Sequence, residues 1–225
     1  MAVGKTLSPA VEDYTKALYA LEVRTGDPVS TNAVAERMGV SAASASGMLK
    51  KLAELGLVSH APYRGSQLTP AGRRVALEVL RHHRLLELFL AEALDVPWDQ
   101  VHREAEVLEH VLSEELEELI SDRLGHPTFD PHGDPIPTPE LELDEGATES
   151  LQVLEVGERA ALVRVSDADP ALLRFLSDRG IAPGVTLEVV DKHPFDGPLF
   201  VRVDDEVHVL GGRVARAMRV VREER

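Results

Sequence analysis

Five of the chain's fourteen prolines fall between Pro127 and Pro139, in the stretch PTFDPHGDPIPTP. Proline removes a backbone donor and clashes with the preceding helical turn, so neither a helix nor a central strand can run through this segment. The chain must therefore fold as two dissimilar regions. Upstream, apolar residues recur at helical spacing, as in Val11, Tyr14, Leu18 and Leu21. Beyond about residue 150 they come in short branched runs, ALVRV, TLEVVD, LFVRVD and EVHVL, interrupted by one helical stretch from Pro170 to Arg179. The expected fold is mainly α with a β-rich C-terminal domain, a small β-barrel with one inserted helix.

Ser8-Pro9 reads as a helix start, with proline in the first turn where no amide is needed, and that helix is expected to end near Thr25-Gly26-Asp27-Pro28. A short helix over Thr31–Met38, a tight turn at 39–41 and a third helix over Ala42–Leu55, stopped by Gly56, form a helix-turn-helix. Two extended pieces around Tyr63-Arg64-Gly65-Ser66 predict a hairpin, the wing of such a motif. Thr69-Pro70 opens a long helix from about Ala71 to Leu94, and another is expected from about Trp98 to Leu124. The expected domains are 1–74, 75–140 and 141–225, with a linker over about 127–150.

A net charge of −15 argues at first against a nucleic-acid partner, but its distribution decides the matter. The first 75 residues carry nine Lys/Arg against six Asp/Glu, whereas residues 76–150 carry four against twenty. The N-terminal third can meet DNA while the middle attracts cations. No apolar run approaches the ~20 residues that span a bilayer. There is no cysteine, and the opening residues lack the apolar stretch of a signal peptide. A soluble, cytoplasmic protein with no membrane partner is expected.

The third helix begins with small and hydroxylated side chains. Ser41, Ala43, Ser44 and Ser46 permit close approach to a major groove and contacts to phosphates or base edges, and Lys50 supplies the salt-dependent part. Thr31 on the preceding helix and Arg64 at the wing tip complete the expected DNA contacts. An alanine-rich packing helix is the alternative. With no Gln or Asn in its first turns, thymine methyl contacts and DNA shape would carry much of the specificity.

In VHREAEVLEHVLSEELEELI, residues 101–120, His102, Glu106, Glu109 and His110 fall within about a 100° arc of one helix. Val101, Ala105, Leu108, Leu112 and Leu119 form a separate apolar stripe, so a solvated acidic face explains the row as readily as a metal site does. His83 and Glu87 repeat the i, i+4 arrangement on the preceding helix, and helices joined by a short connection pack antiparallel. Facing pairs of this kind repel unless a divalent cation neutralises them. Imidazole with carboxylate and no thiolate suits manganese, ferrous iron, nickel, cobalt or zinc. His82, pointing about 100° from His83, is expected at the surface.

Together VEDYTKALYAL, the winged helix-turn-helix, RHHRLLELFL and VHREAEVLEHVLS resemble the diphtheria-toxin-repressor family, along nearly the whole chain. The most specific part is the spacing of Asp13, His83 and the EVLEH of 106–110. The resemblance implies a homodimer that binds operator DNA as a repressor when a divalent metal links the N-terminal helix to a helical dimerisation domain. It also implies a modulatory SH3-like barrel at the C-terminus. Asp13, His83, Glu106, Glu109 and His110 are the implied ligands. Iron-responsive relatives have Met and Cys at the positions of Asp13 and Glu106; oxygen ligands there favour Mn2+, with Fe2+ as the alternative and Zn2+, Co2+, Ni2+ or Cd2+ as substitutes in vitro.

Two-domain manganese regulators carry an acid three residues after the Asp, where this chain has Lys16, so their paired-metal arrangement is not expected to carry over. A second ion is implied at Glu87, His102, Asp130, His132 and Asp167, as in three-domain relatives with an ancillary site.

Two other classes share parts of the pattern: a di-metal carboxylate enzyme, and a winged-helix regulator answering to an organic effector. An enzyme is not expected. No nucleophile motif or phosphate-binding loop is recognisable, and neither HREAE nor EVLEH matches the HExxH of metalloproteases.

Overall fold

The computed structural model describes residues 7–61, 65–195 and 197–223. They divide into two compact units, one built from residues up to His83 with Glu109–Leu112 and Pro137–Leu143, the other from Arg84–Leu108, Ser113–Ile136 and Asp144 onward.

In the first unit, α1 (Pro9–Thr25) begins after extended Ser8 and ends at Gly26, whose φ of 69° is the left-handed conformation that glycine adopts without strain. α2 (Thr31–Arg37) and α3 (Ala42–Glu54) are each capped by a serine: Ser30 Oγ accepts from Ala33 N, and Ser41 Oγ from Ser44 N. β1 (Val58–Ala61) and β2 (Gly65–Leu68) pair antiparallel with Val58 opposite Leu68, which is the expected hairpin; its tip, including Arg64, lies outside the described residues. Val11, Tyr14, Leu18, Leu21, Val34, Leu49 and Leu52 form the core beneath the three helices. The apolar spacing that predicted α1 is the spacing that builds this core.

α4 (Pro70–Leu94) follows, as expected. The single helix expected from Trp98 to Leu124 is instead two, α5 (Val101–Leu108) and α6 (Glu114–Arg123), separated by a turn. Ser113 Oγ accepts from Leu116 N and starts α6 afresh, offering the backbone a local alternative to helix continuation. The arc argument for His102, Glu106, Glu109 and His110 therefore fails: only the first two are on α5, and the other two stand in the turn.

The second unit holds a six-stranded antiparallel sheet of order β3-β8-β4-β5-β6-β7, with β3 (Glu149–Ser150), β4 (Arg159–Val165), β5 (Thr186–Lys192), β6 (Leu199–Val203), β7 (Glu206–Leu210) and β8 (Met218–Arg222). Bulges near Val163 and Val190 bend it around Leu162, Leu173, Leu187, Val189, Val201 and Met218. α7 (Pro170–Ser177) is the expected inserted helix, capped by Asp169 Oδ1 on Ala171 N. A second short helix, α8 (Gly212–Ala217), was not expected, since GGRVARA carries no helical periodicity of its own. α8 buries Ala215 in the core instead.

No helix or strand spans residues 125–148, as the prolines dictate, yet this stretch is packed rather than solvated. Asp130, His132 and Ile136 are buried, and Val165 N donates to His132 O at 2.9 Å. Gly133 sits at φ 84°, and a Cβ there would lie 1.9 Å from the carbonyl oxygen of Val163. Backbone cannot yield as a flexible side chain would, so Gly133→Ala is expected to cost about 2–4 kcal/mol. Thermal unfolding is expected to show a midpoint lowered by at least about 5 °C. Gly125→Ala, where nothing lies within 4 Å, is expected to cost about 1 kcal/mol from the left-handed backbone alone.

Candidate functional site

α1 presents Glu12, Asp13 and Lys16, α4 presents His82 and His83, and the turn after α5 presents Glu109 and His110; all seven belong to the first unit. His110 Nε2 lies 3.0 Å from Asp13 Oδ1 and 3.6 Å from Glu109 Oε1. Donor atoms of Asp13, Glu109 and His110 all lie within 4.8 Å of one another. The other ring nitrogen of His110, Nδ1, donates to Glu12 Oε2 at 2.6 Å. The Glu109 side chain is fully buried, and its two oxygens accept from Lys16 Nζ at 2.6 Å and from His83 Nδ1 at 2.5 Å. His82, expected at the surface, is buried and donates from Nδ1 to the Glu109 carbonyl at 3.1 Å. Helical phase placed it correctly relative to His83; what lies on that side is protein, not water.

These atoms suit a divalent cation. Hard carboxylate oxygens and imidazole nitrogen are its usual donors, and a ligating histidine ordinarily donates its second N–H to a carboxylate, which is the arrangement of His110 and Glu12. Within the first unit the structure brings together Asp13, Glu109 and His110 around one point, with His83 holding Glu109. Glu106, the fifth residue expected at this site, is half-exposed on α5 in the second unit, with an oxygen 3.8 Å from His102 Nε2. Glu12 was missed by sequence reasoning, although its place beside Asp13 was a usable signal.

In the second unit Glu87 of α4, His102 of α5, His132 of the proline-rich stretch and Asp167 after β4 converge. His102 Nδ1 is 3.1 Å from Glu87 Oε1 and 2.9 Å from Asp167 Oδ2, and His132 Nδ1 is 3.5 Å from Glu87 Oε2. Donor atoms of Glu87, Asp130 and His132, all buried, also lie within 4.8 Å of one another. His132 Nε2 donates to the Trp98 carbonyl at 2.8 Å, and Nδ1 is the nitrogen that faces the Glu87 carboxylate. Asp130 Oδ1 accepts from His132 N and Asp134 N, so this carboxylate shapes the turn as well as facing the cluster.

The electrostatics follow from the crowding of acids. Hydrogen bonds to Asp167 and then Glu87 push His102 up to about 10, against the effect of burial. Burial would lower His132, but hydrogen bonding and charge from Glu87 outweigh it and raise it to about 9. Burial, aided by the charges of Asp134 and Glu87, raises Asp130 to about 8. Burial of Asp167 opposes its ionisation, yet the His102 partner holds it below the usual carboxylate range. Protons neutralise this cluster near pH 7, and a divalent cation bound there would take their place.

Asp134, not foreseen as important, is gripped by Arg84 and Arg164, each 3.3 Å from its Oδ1. These arginines, one from α4 and one from β4, hold the proline-rich turn in place.

On α3, Ala43, Ser44, Ser46 and Lys50 are exposed while Ala45, Leu49 and Leu52 are buried, so the residues expected to meet DNA share the outward face. Ser41 serves as the N-cap and its Oγ is 2.9 Å from Ser44 Oγ; Thr31 opens α2 and is half-buried. Among the described residues no helix is long and apolar enough to cross a membrane.

Residues 6–66 match the family "Iron dependent repressor, N-terminal DNA binding domain", residues 69–138 "Iron dependent repressor, metal binding and dimerisation domain", and residues 149–222 the "FeoA domain". The iron-dependent repressor IdeR of Mycobacterium tuberculosis is 31% identical over 226 residues, covering 95% of this chain and 97% of that protein. A manganese-dependent transcriptional repressor solved in complex with manganese is 41% identical with a TM-score of 0.88, covering 95% of this chain and all of that one. ScaR with bound Zn2+ is 30% identical with a TM-score of 0.79, covering 94% and 98% of the two chains.

Trp98 is the only tryptophan, and its ring stacks on His132 at 5.7 Å between centroids. Titration with paramagnetic Mn2+ or Co2+ is expected to quench its emission as the cluster around Glu87 fills, and Glu87→Gln is expected to weaken that quenching at least about ten-fold in metal concentration. Equal quenching in the variant would mean that Glu87 holds no ion.

Proposed function

The chain belongs to the iron-dependent repressor family of metal-dependent DNA-binding regulators, and from that premise we propose that it represses genes of manganese homeostasis, binding operator DNA as a metal-loaded homodimer. The observation that carries this reading is the approach of His110 Nε2 to within 3.0 Å of Asp13 Oδ1, which joins the helix leading into the reading head to a turn far along the chain.

Manganese is favoured over iron by the donor set. Every carboxylate at the first cluster is a hard ligand, and a chain without cysteine has no thiolate to offer a softer ion. The solved relative holding manganese supports the same choice. Fe2+ is the alternative, and Zn2+, Co2+, Ni2+ and Cd2+ are expected to substitute in vitro. Asp13, Glu109 and His110 form the first site, with His83 as a further ligand through or beside Glu109 and Glu106 contributing from α5. Glu87, His102, Asp130, His132 and Asp167 form the second.

A bound divalent cation supplies charge neutralisation and a fixed set of coordination directions. Asp13 is the ligand that moves. Without an ion to share, no coordination bond fixes Asp13 and α1 would sample several positions; when Asp13 is held beside His110 by a cation, α1 and the helix-turn-helix behind it would adopt one. In a dimer, two α3 helices must reach successive major grooves about one duplex turn apart, so restricting that motion raises DNA affinity by favouring the competent state. Thr31, Ser41, Ala43, Ser44, Ser46 and Lys50, with Arg64 of the wing, are the proposed DNA contacts. Val107 and Val111, 69% and 76% exposed, offer apolar surface for the dimer. The domains are proposed as 1–74 for DNA binding, 75–140 for metal and dimerisation, and 141–225 for the SH3-like modulatory part.

Gel-shift titration against a random DNA library, with Mn2+, Fe2+, Zn2+ or a chelator, tests the reading directly. Binding is expected only with metal. Asp13→Ala is expected to raise the metal concentration needed at least about ten-fold while moving the thermal midpoint by no more than about 2 °C, since Asp13 is partly exposed and outside the core. DNA binding that survives chelation, or an Asp13→Ala protein with an unchanged metal requirement, contradicts it.

A further inference from the structure

Lys16 lies one helical turn beyond Asp13 on α1, and its ammonium is 2.6 Å from Glu109 Oε1. That same oxygen is 3.6 Å from His110 Nε2, the nitrogen that Asp13 also approaches. The ammonium therefore rests on one of the donor atoms that a divalent ion at this cluster would use. The other Glu109 oxygen is engaged by His83 Nδ1, and the side chain has no exposed surface. A carboxylate so enclosed requires positive charge or donated hydrogen bonds, and Lys16 supplies a full charge at short range. Around the same Glu109 and His110 gather Glu12 and Asp13 of α1 and His83 of α4. Lys16 is 17% exposed at its side chain, so its four-carbon stem has a route to water when the head group leaves.

We propose that Lys16 is a resident counter-cation of this cluster: it neutralises Glu109 while no metal is bound, and a divalent ion must displace it from Oε1, so that Lys16 sets the metal concentration at which the protein responds. This rests on the reading of Asp13, Glu109 and His110 as a metal site. A purely structural lysine predicts the opposite sign. If Lys16 served only to pin Glu109 in place, its removal would disorder a ligand and weaken metal binding. If it competes with the ion, its removal strengthens binding, because a dication then meets a carboxylate with no ammonium in front of it.

The test uses full-length protein and Mn2+. Calorimetric titration at fixed pH and ionic strength compares wild type, Lys16→Gln, Lys16→Met and Lys16→Arg, with Asp13→Ala identifying which binding step belongs to this cluster. Lys16→Met keeps the aliphatic packing in case the glutamine variant folds poorly. The Asp13-dependent step is expected to become at least about ten-fold tighter in the glutamine and methionine variants and to stay within about three-fold of wild type in the arginine variant. The metal-free glutamine and methionine variants are expected to unfold at lower temperature, because Glu109 is left buried without its cation. Unchanged or weaker Mn2+ binding at the Asp13-dependent step in both neutral variants overturns the proposal while leaving the metal site standing. Absence of any Asp13-dependent step in wild type removes the site reading, and the proposal with it.

Discussion

A carboxylate enclosed by protein must be answered by charge or by donated protons, and each oxygen of Glu109 is answered. Lys16 reaches one from α1 and His83 the other from α4, while His82 of the same helix donates to the Glu109 backbone carbonyl. Residues 93 positions apart are tied in this way. Glu109 stands in the turn after α5, and Ser113 restarts the helix beyond it. His110 follows in the same turn, and its two ring nitrogens are shared between Glu12 and Asp13. The candidate site for a regulatory ion is thus assembled by the same bonds that make Glu109 tolerable in the interior.

The second cluster obeys the same rule with different residues. Glu87 and Asp130 are buried acids, and histidines answer Glu87: His102 Nδ1 at 3.1 Å and His132 Nδ1 at 3.5 Å. Two imidazoles raised to about 9 and 10 and an acid raised to about 8 show how the burden is carried by protons. Arg84 and Arg164 meet on Asp134, where they secure the turn that delivers Asp130 and His132. Arg84 Nε also lies 3.9 Å from Asp130 Oδ2, so one arginine serves both the loop's anchorage and the cluster.

Much of this was legible beforehand. Alternation of apolar residues at helical spacing predicted α1 through α4 because burial of one helix face is a local property of sequence. Prolines in 127–139 ruled out regular structure there, and did so correctly, but they could not say that the stretch packs against β4 with His132 wholly enclosed. The reading of residues 98–124 as one helix failed because the pattern on either side of Glu109 is helical, while the Ser113 cap that restarts the helix breaks no apolar spacing. Glu12 and Trp98 went unnoticed since their roles depend on partners distant in the chain: the Nδ1 of His110 and the ring of His132.

The sequence by itself determined the element types, the division at the prolines and the supply of oxygen and nitrogen donors without sulfur, because propensity, periodicity and ligand chemistry are carried by residue identity. Tertiary structure alone decided which donors meet. Asp13 joins Glu109 and His110, Glu87 joins His102 and His132, and Lys16 lands on the oxygen of a buried acid. Coordination and ion pairing depend on separations of a few ångströms between groups many residues apart, and those distances exist only once the core has set where each backbone runs.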